Sequence, residues 1–346
     1  MTFFVGLDIA LKKTAVCVVD NAGDIVFEGT TLSDPDDLIA KLERWRDDIA
    51  LIGLEACPLS EWLHGSLAET GYDVRCLETR HTQRFLSTRP NKTDRSDAHG
   101  IASMMRLGHY KPVHVKSRQS QLRRALLIGR KQFMAATLQI ENTIRGLMRV
   151  QGLKIGAVHR NRFSERVVEL CTTVPGLAPA IEPLLAARDA MREQIAALNR
   201  SLEREARADE LCRLFMTIPG VGPLTSLAFK ATIDDPRRFR SSKTVPAHLG
   251  LTPRVYQSGE IDRSGHISKS GDKLMRYLLA EPASSMLSRP KKWCSLKAWG
   301  IRLAKRVGMG KAIVAVARKL AIVMHKMWLT SEPFRFGSAE ANAKAQ

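Results

Sequence analysis

FFVGLDIALKKTAVCVVDNAGDIVFEGTT, residues 3–31, predicts three neighbouring β-strands at the start of the chain. The segment FFVGLDIA (3–10) is an apolar run that carries an acid near its end, and TAVCVVD (14–20) and DIVFEGTT (24–31) have the composition of strands. The turn NAGD joins the second of these strands to the third. We therefore expect a meander, in which each strand pairs with the next one along the chain.

Beyond this meander, the pattern predicts an alternation of helix and strand. Leu38, Leu42 and Trp45 stand at helical spacing, and acids crowd the start of their helix, where they complement the helix dipole. The predicted helices are 34–48, 59–71 and a helix opening at Asp94, and the predicted strands are 50–56 and 73–79. Three strands, helix, strand, helix, strand, helix is the order of an α/β fold of the ribonuclease H-like class, which we expect for the N-terminal domain.

Four carboxylates occur where this fold could bring them together. Asp8 lies on the first strand, Glu55 ends the strand after the first helix, and i, i+3 spacing puts Asp94 and Asp97 on one helix face. Such a group suits Mg²⁺, or Mn²⁺, because hard cations prefer oxygen ligands and can clamp the reacting oxygens of a phosphodiester. Each acid also has an ordinary explanation, as a strand end, a surface acid, or an N-cap with an acid in the first turn.

Charge is distributed unevenly along the chain. The 346 residues carry a net charge of +19 and the pI is near 10.0, yet residues 1–100 carry −6 and the remainder carries +25. This asymmetry is typical of a nuclease-like catalytic domain joined to a basic region that binds nucleic acid. A basic surface that faces a membrane or only aids solubility is the alternative.

Several classes of protein are disfavoured by composition. The six cysteines are scattered without a CxxC pair, as expected for reduced thiols. The N-terminus lacks the features of a signal peptide, and no apolar stretch reaches transmembrane length. We expect a cytoplasmic protein of bacterial type, associated with the nucleoid when it acts.

Two long helices are predicted in the middle of the chain, over 117–153 and 186–206. Met191, Ile195 and Leu198 belong to a short heptad pattern, so the two helices could pair as an antiparallel coiled-coil hairpin, mediate dimerisation, or form a solvated spacer. The basic bias of the first helix favours phosphate contact. The residues predicted to make that contact are Arg123, Arg124, Arg130 and Lys131.

The C-terminal part is predicted to be mainly helical. PGVG (219–222) lies between two apolar helical segments, and Gly220 and Gly222 would let backbone N–H groups approach a phosphate, as in a helix-hairpin-helix element. A turn that needs glycine for close helix packing is the alternative. The following basic loop contributes three further predicted nucleic-acid contacts, Arg254, Lys269 and Arg276. Ser258 lies in the same loop, where local spacing alone gives little reason to expect a nucleophile.

Five segments carry a resemblance to a known family. They are VGLDIALKKTAVCVVD, IGLEA, NKTDRSDAHGIA, TIPGVGPLTSLAFKATIDDPRRFRS and HLGLTPRVYQSGEIDRSGHISKSGDKLMRYLL. In this order they resemble the DEDD insertion-sequence transposases, which join a RuvC-like N-terminal domain to a C-terminal serine transposase domain. Members of this family excise and insert DNA, and several are guided by a structured bridge RNA.

The resemblance implies a role for each matching residue. Asp8, Glu55, Asp94 and Asp97 match the family's four metal-binding acids, and Ser258 matches a serine thought to attack DNA. A composite site would activate that serine, because a bound metal lowers a hydroxyl pKa or stabilises the leaving oxygen. One departure is visible, since Cys57-Pro58-Leu59-Ser60 replaces a Thr-Gly-Gly-Tyr type turn after Glu55.

These inferences predict a DNA transposase and recombinase that acts as a homo-oligomer, a dimer or tetramer, on donor and target DNA with a guide RNA. The predicted regions are a RuvC-like domain (1–112), a basic coiled-coil region (113–208), a serine transposase domain (209–330) and a disordered tail (331–346). A RuvC-like nuclease that uses metal-activated water, and a non-catalytic nucleic-acid-binding protein, are the alternatives.

Overall fold

A computed structural model describes residues 1–87, 93–258, 261–290 and 292–337, with the side chains of 261, 262 and 264 left aside. The chain divides into two units, Met1–Lys116 and Ser117–Gln346. The boundary falls four residues beyond the predicted end of the first domain. The division of the rest of the chain into the regions 113–208 and 209–330 stays a prediction. None of the described helices is both long enough and apolar enough to cross a membrane.

The first unit is built on a five-stranded mixed sheet. Its strands are β1 (Phe3–Ile9), β2 (Lys13–Val19), β3 (Ile25–Leu32), β4 (Ile49–Glu55) and β5 (Val74–Leu77). They lie in the order β3-β2-β1-β4-β5, with β1 to β3 antiparallel and β4 and β5 parallel to β1. This combination of a meander with parallel crossover strands is the expected ribonuclease H-like arrangement, and the predicted fold class is confirmed.

Helices cover both faces of this sheet. They are α1 (Pro35–Leu42), α2 (Ser60–Glu69), α3 (Thr79–Leu86) and α4 (Asp94–Leu107). Val5, Leu7 and Leu54 project to the face where α1 and α2 bury Leu38 and Leu63. The alternate strand positions project to the opposite face, beneath α4, because successive side chains of a strand point to opposite sides.

The helices of this unit differ from the predicted ones in two places. The predicted helix over 34–48 is shorter, since α1 ends at Leu42 and a 3-10 turn, Glu43–Trp45, follows it. The helix α3 was missed, because its sequence TRHTQRFL has almost no apolar stripe and buries only Thr82. Residues 88–92, which include the start of the predicted NKTDRSDA segment, lie outside the described residues.

The second unit is mainly helical. Its helices are α5 (Arg118–Val150), α6 (Phe163–Cys171), α7 (Ala178–Ala208), α8 (Glu210–Phe215), α9 (Pro223–Ile233), α10 (Val245–His248), α11 (Lys273–Ser288), α12 (Ser295–Val307) and α13 (Met309–Thr330). A two-stranded antiparallel sheet, β6 (Pro253–Ser258) and β7 (Ile261–Ile267), lies between α10 and α11. This hairpin was predicted as a loop, because its side chains on β6 are all exposed and show no buried alternation.

The long helices α5 and α7 pack side by side in antiparallel directions. Arg123 near the start of α5 contacts Glu205 near the end of α7, and Glu141 near the end of α5 contacts Arg188 near the start of α7. The structure thus adopts the antiparallel pairing that was one of three expectations for these helices. Helix α7 begins earlier than predicted, at Ala178, within the VPGLAP segment (174–179).

The C-terminal helices share one apolar core, to which Phe334 belongs and against which Phe336 packs. Phe334 is buried in that core, its amide donates to Thr217 Oγ1 (3.1 Å), and the amide of Ser295 donates to the Phe336 carbonyl (3.0 Å). The prediction of a disordered tail from residue 331 is therefore wrong for residues 331–337, because the two aromatic side chains anchor the segment. The rest of the predicted tail, 338–346, lies outside the described residues.

Candidate functional site

Asp8 and Glu55 occupy the carboxyl ends of two adjacent parallel strands. Gly6 of β1 is the register partner of Gly53 of β4, and each acid follows its glycine by two residues. A spacing of two keeps a side chain on the same face of a sheet, so both acids project toward the face covered by α4. Both are half-buried.

The glycine pair lets α4 lie unusually close to the sheet. A Cβ at Gly6 would overlap the carbonyl oxygen of Ala98 and the amide nitrogen of Ala102, which are backbone atoms of α4. A Cβ at Gly53 would lie 2.7 Å from Met105 Cγ and Sδ. Glycine is thus required at Gly6 by the close approach of a helix backbone.

The direction of α4 places its first turn beside the strand-end acids. Its last turns, with Met104 and Met105, pack near Phe4 and Leu51 toward the beginnings of β1 and β4. Its middle crosses Gly6, as the glycine contacts show. The helix therefore runs antiparallel to β1, and its N-terminus lies toward the carboxyl end, where Asp8 and Glu55 stand.

Asp94 and Asp97 belong to that first turn. Thr93 caps the helix by accepting from the amide of Ser96 (3.1 Å), which leaves Asp94 exposed and Asp97 half-buried in the first turn. The structure thus brings the four predicted acids to one end of the sheet. Across the described ranges, no group of three or more His, Cys, Asp or Glu side chains is arranged closely enough to hold a metal ion.

The donor set itself fits a hard divalent cation. Four carboxylates supply only oxygen ligands, and they come from two strand ends and one helix start. The same acids without a cation would repel one another. Binding of Mg²⁺ or Mn²⁺ here would require the side chains to turn toward each other.

The unusual turn after Glu55 is closed by its own side chains. Ser60 Oγ donates to the Cys57 carbonyl (2.7 Å) and accepts from the Cys57 amide (3.2 Å), and α2 begins at Ser60. Thr79 Oγ1 donates to the Ala56 carbonyl (3.2 Å). The departure from the family's turn is therefore compatible with an ordered backbone directly after Glu55.

The predicted phosphate contacts on α5 are largely committed to partners within the second unit. Arg123 is only 6% exposed and forms ion pairs with Glu205 and Asp209. Arg124 pairs with Asp272 (2.5 Å), and Arg130 donates to Asn199. These positions do not support phosphate binding by Arg123, whereas Lys131 is exposed.

The ion pair between Arg124 and Asp272 also affects protonation. Burial would raise the pKa of Asp272, but the amide of Met275 and the guanidinium of Arg124 together lower it below the usual value. Asp272 is therefore charged near neutral pH and also caps α11. Sequence reasoning missed this partner because it lies 148 residues from Arg124.

The two glycines of the PGVG turn have different surroundings. Gly220 has a φ of +90°, and a Cβ there would lie 3.1 Å from the Pro282 carbonyl oxygen, so this glycine serves the turn and its packing against α11. Gly222 is the N-cap of α9 and has open space around it. A cleft of about 490 Å³ lies beside the turn, between the start of α9 and the end of α11, with Arg289 at its margin.

Ser258 is the last residue of β6 and is exposed. It pairs with Ile261 across the hairpin, and residues 259–260 at the tip lie outside the described residues. The predicted contacts Arg254 and Lys269 are exposed near the base of the hairpin, where Arg254 donates to the Ser268 carbonyl (3.2 Å).

Arg276 has a structural position beneath this hairpin. Its guanidinium donates to the carbonyls of Leu249 (3.1 Å) and Gly271 (3.0 Å), which fixes the chain on both sides of the hairpin. Gly250 lets the two segments that flank the hairpin approach closely, since a Cβ there would overlap the Ser270 carbonyl oxygen. Arg276 thus orients the base of the hairpin that carries Ser258.

Comparison with known proteins agrees with the order of these two units. Residues 5–150 match the model of DEDD transposases of the IS110 type, described as "Transposase", and residues 212–297 match the model described as "Transposase IS116/IS110/IS902 family". The chain is similar to the "Transposase for insertion sequence element IS1111A" of Coxiella burnetii, with 28% identity covering 96% of this chain and 91% of that protein.

A second relative and a solved structure complete the comparison. A putative transposase of Sinorhizobium fredii is 28% identical and covers 84% of this chain and 76% of its own length. The RuvC structure from Thermus thermophilus is 15% identical and matches 32% of this chain and 100% of its own, with a TM-score of 0.26. Because both transposase models match in the family's order and the first relative aligns over nearly its whole length, the chain belongs to the IS116/IS110/IS902 family of transposases, enzymes that cleave and transfer DNA.

Proposed function

We propose that this transposase cuts and rejoins DNA with a divalent-metal centre formed by Asp8, Glu55, Asp94 and Asp97. The single observation that carries the proposal is the seating of α4 on Gly6, which directs the first turn of α4 to the strand ends bearing the other two acids. Bound there, Mg²⁺ or Mn²⁺ would polarise the scissile phosphate and lower the pKa of the attacking hydroxyl.

The four acids contribute orientation and charge to this site. Asp8 and Glu55 are held by the sheet, because the register of two adjacent parallel strands fixes the positions of their backbones. Asp94 and Asp97 are placed by a capped helix, whose N-terminus carries partial positive charge that stabilises carboxylates. Rigid elements on both sides of the site favour a fixed geometry for the cation.

Ser258 is proposed as the nucleophile that joins protein to DNA. Its Oγ would form a bond to phosphorus as the bond from phosphorus to a deoxyribose oxygen breaks, and the serine proton would pass to solvent or to the leaving oxygen. The exposed position of Ser258 at the end of β6 supports access by a large substrate. Its activation would require the acids of the first unit to meet it when DNA is bound.

DNA is the proposed partner, and a bridge RNA is the proposed guide. The second unit carries the positive charge of the chain, which supports binding of a polyanion. Lys131, Gly222, Arg254 and Lys269 keep positions that support backbone contact, while Arg123 and Arg276 serve the internal structure. Guidance by RNA rests on the resemblance to the family and not on a specific pocket.

The proposed homo-oligomer is supported by a mostly apolar seam along α5, which borders the buried face of that helix. Its members alternate in spacing between four and three residues, which is the heptad repeat of a coiled coil, and Leu122 and Val150 at its two ends are 61% and 81% exposed. The seam consists of Leu122, Leu126, Gly129, Phe133, Ala136, Ile140, Thr143, Leu147 and Val150.

The flanks of this seam also suit a second copy of the chain. One flank packs against α7, and the other contains Ala125, Gln132, Gln139 and Gly146, none of which is charged. An uncharged flank lets two strongly cationic chains approach without like-charge repulsion. We therefore place the proposed dimer contact along α5.

A denaturing gel tests the chemistry. Wild-type protein with labelled DNA and Mg²⁺ should give a covalent protein–DNA band, which Ser258→Ala should abolish together with strand exchange. Gln257→Ala is the matched control, since Gln257 is the exposed neighbour on the same strand. A covalent band of wild-type intensity in Ser258→Ala would refute the serine nucleophile.

A metal-dependent nuclease that uses water is the second candidate, because all four acids belong to the first unit and Ser258 belongs to the second. Cleavage retained by Ser258→Ala, without strand exchange, would favour that function. Cleavage retained by Asp97→Asn would refute metal catalysis by these acids under either mechanism.

A further inference from the structure

The last two helices lie in a stretch without acidic residues. Residues 282–331 contain 11 Lys and Arg and no Asp or Glu, although about one residue in ten of the chain is acidic. The second of the two matched family ranges ends at residue 297, so α13 and all but the first three residues of α12 lie beyond it. The family assignment therefore gives no role to this segment.

The cations of each helix occupy one face. On α12, Arg302, Lys305 and Arg306 have i, i+3, i+4 spacing, which places them together. On α13, the cations are residues 311, 318, 319 and 326. Residues 311 and 318, like residues 319 and 326, are about two helical turns apart and therefore lie on the same face, and the row is about 22 Å long at 1.5 Å per residue. All seven side chains are exposed, whereas the opposite face of α13 is buried in the core.

The two cationic faces meet at Trp299. This side chain lines one groove with Arg302 and Arg306, and it also lines a cavity of about 480 Å³ with Lys319 and Lys326. Lys319 Nζ lies 3.6 Å from the centre of the Trp299 ring. Cations from both helices therefore border one aromatic side chain.

These seven cations have no acidic partners in the part of the chain that the structure describes. Every ion pair found there within 4.0 Å involves other residues, whereas the cations of α5 and α7 are repeatedly paired. Seven like charges on one surface repel one another. A surface that served solubility alone would gain nothing from concentrating them on two adjoining faces.

We propose that this surface, the α12–α13 surface formed by Arg302, Lys305, Arg306, Lys311, Arg318, Lys319 and Lys326, binds the phosphate backbone of duplex DNA without reading its sequence. A duplex fits better than a single strand, because Lys319 lies over the Trp299 ring where a stacked base would need the aromatic face. The choice of DNA rests on the proposed function, but the presence of a phosphate-binding surface does not.

The test is equilibrium binding measured by fluorescence anisotropy over a range of salt concentrations in EDTA. Cleavage does not occur under these conditions, so failure of the metal and serine proposals would leave the result intact. The variant is Lys311→Gln/Arg318→Gln/Lys326→Gln. Losing three phosphate contacts should reduce the slope of log K against log salt by about 3 and weaken binding about 10- to 100-fold near 0.1 M salt.

The matched control is Arg162→Gln/Arg166→Gln/Arg207→Gln. It removes the same charge from three arginines at the surface, of which Arg166 is half-buried, that already pair with Glu165, Glu169 and Glu203. Its slope should change by less than about 1, because these arginines face acids and not DNA.

Two results would overturn the proposal. If Lys311→Gln/Arg318→Gln/Lys326→Gln and the control variant bind duplex DNA with the same affinity and the same slope of log K against log salt, the surface does not contact DNA. If an RNA hairpin of equal length loses affinity and duplex DNA does not, the surface binds RNA, and the assignment to DNA is wrong. Circular dichroism melts of the two variants should agree with wild type, since all six substituted side chains lie at the surface.

Discussion

Replacing Gly6 with alanine should displace Asp94 and Asp97, two of the four proposed metal-binding acids, without substituting any of the four. The added Cβ would overlap the backbone of α4 at Ala98 and Ala102, and a backbone cannot rotate away as a side chain can. Real Cβ atoms do not approach other atoms within 3.0 Å. The helix must therefore retreat from the sheet by about 1 Å or more, and it carries Asp94 and Asp97 with it.

The size of the effect follows from this displacement. Overpacking of this kind costs about 1–3 kcal/mol of stability, and Gly6→Ala should lie near the upper end. A misplacement of about 1 Å in a catalytic constellation can cost ~100-fold in rate. Gly53→Ala should cost less on both measures, because its closest contacts are the flexible Met105 side chain and Ile101 Cγ2.

Urea unfolding and Mg²⁺-dependent DNA cleavage measure the two effects separately. Gly65→Ala is the matched control, since Gly65 lies inside α2 of the same unit with nothing near its Cβ position. That substitution should stabilise the protein by about 0.5–1 kcal/mol and leave cleavage unchanged. Wild-type cleavage by Gly6→Ala would refute the inference that α4 and the sheet jointly position the acids.

Three further predictions concern the second unit. Burial lowers the pKa of His325, so the unfolded state binds a proton more readily than the folded state does. The free energy of unfolding should therefore fall as pH drops below about 6.5, and His325→Gln should flatten that decline in urea titrations. Arg188→Ala should cost about 3–5 kcal/mol of stability in urea unfolding because it leaves Glu141 unpaired, and Arg188→Met/Glu141→Leu should recover much of that loss. Wild-type stability of Arg188→Ala would contradict this prediction. Leu126→Lys/Leu147→Lys should dissociate oligomers in sedimentation velocity without lowering the urea midpoint, and an unchanged sedimentation coefficient would exclude the α5 seam.

The N-terminal fold was predictable because its signals are local. Apolar runs ending near Asp8 and Glu55, and acids around the start of α4, identify strands and helix starts from neighbouring residues alone. The glycine that seats α4 was not predicted as such, because the requirement at Gly6 arises from contact with Ala98, which is 92 residues away. Spacing showed which acids share a face, but not how α4 crosses the sheet.

The second unit was harder to predict because its polar residues act over long distances. Arg123 has the sequence context of a phosphate ligand, and only the fold shows that Glu205 and Asp209 neutralise it. The β-hairpin carrying Ser258 has no buried alternation, so neither its strands nor its exposure could be derived from periodicity. Phe334 lies in a polar terminal segment whose core contact depends on distant helices.

The central claim is that Asp8, Glu55, Asp94 and Asp97 form one divalent-metal centre. The most direct measurement is an electron paramagnetic resonance titration of Mn²⁺ into the DNA-bound protein, with wild type and Asp8→Asn compared. We predict saturable Mn²⁺ binding by the wild type and at least about 10-fold weaker binding by Asp8→Asn, since one carboxylate ligand is lost. Equal Mn²⁺ binding by the two proteins would contradict the claim.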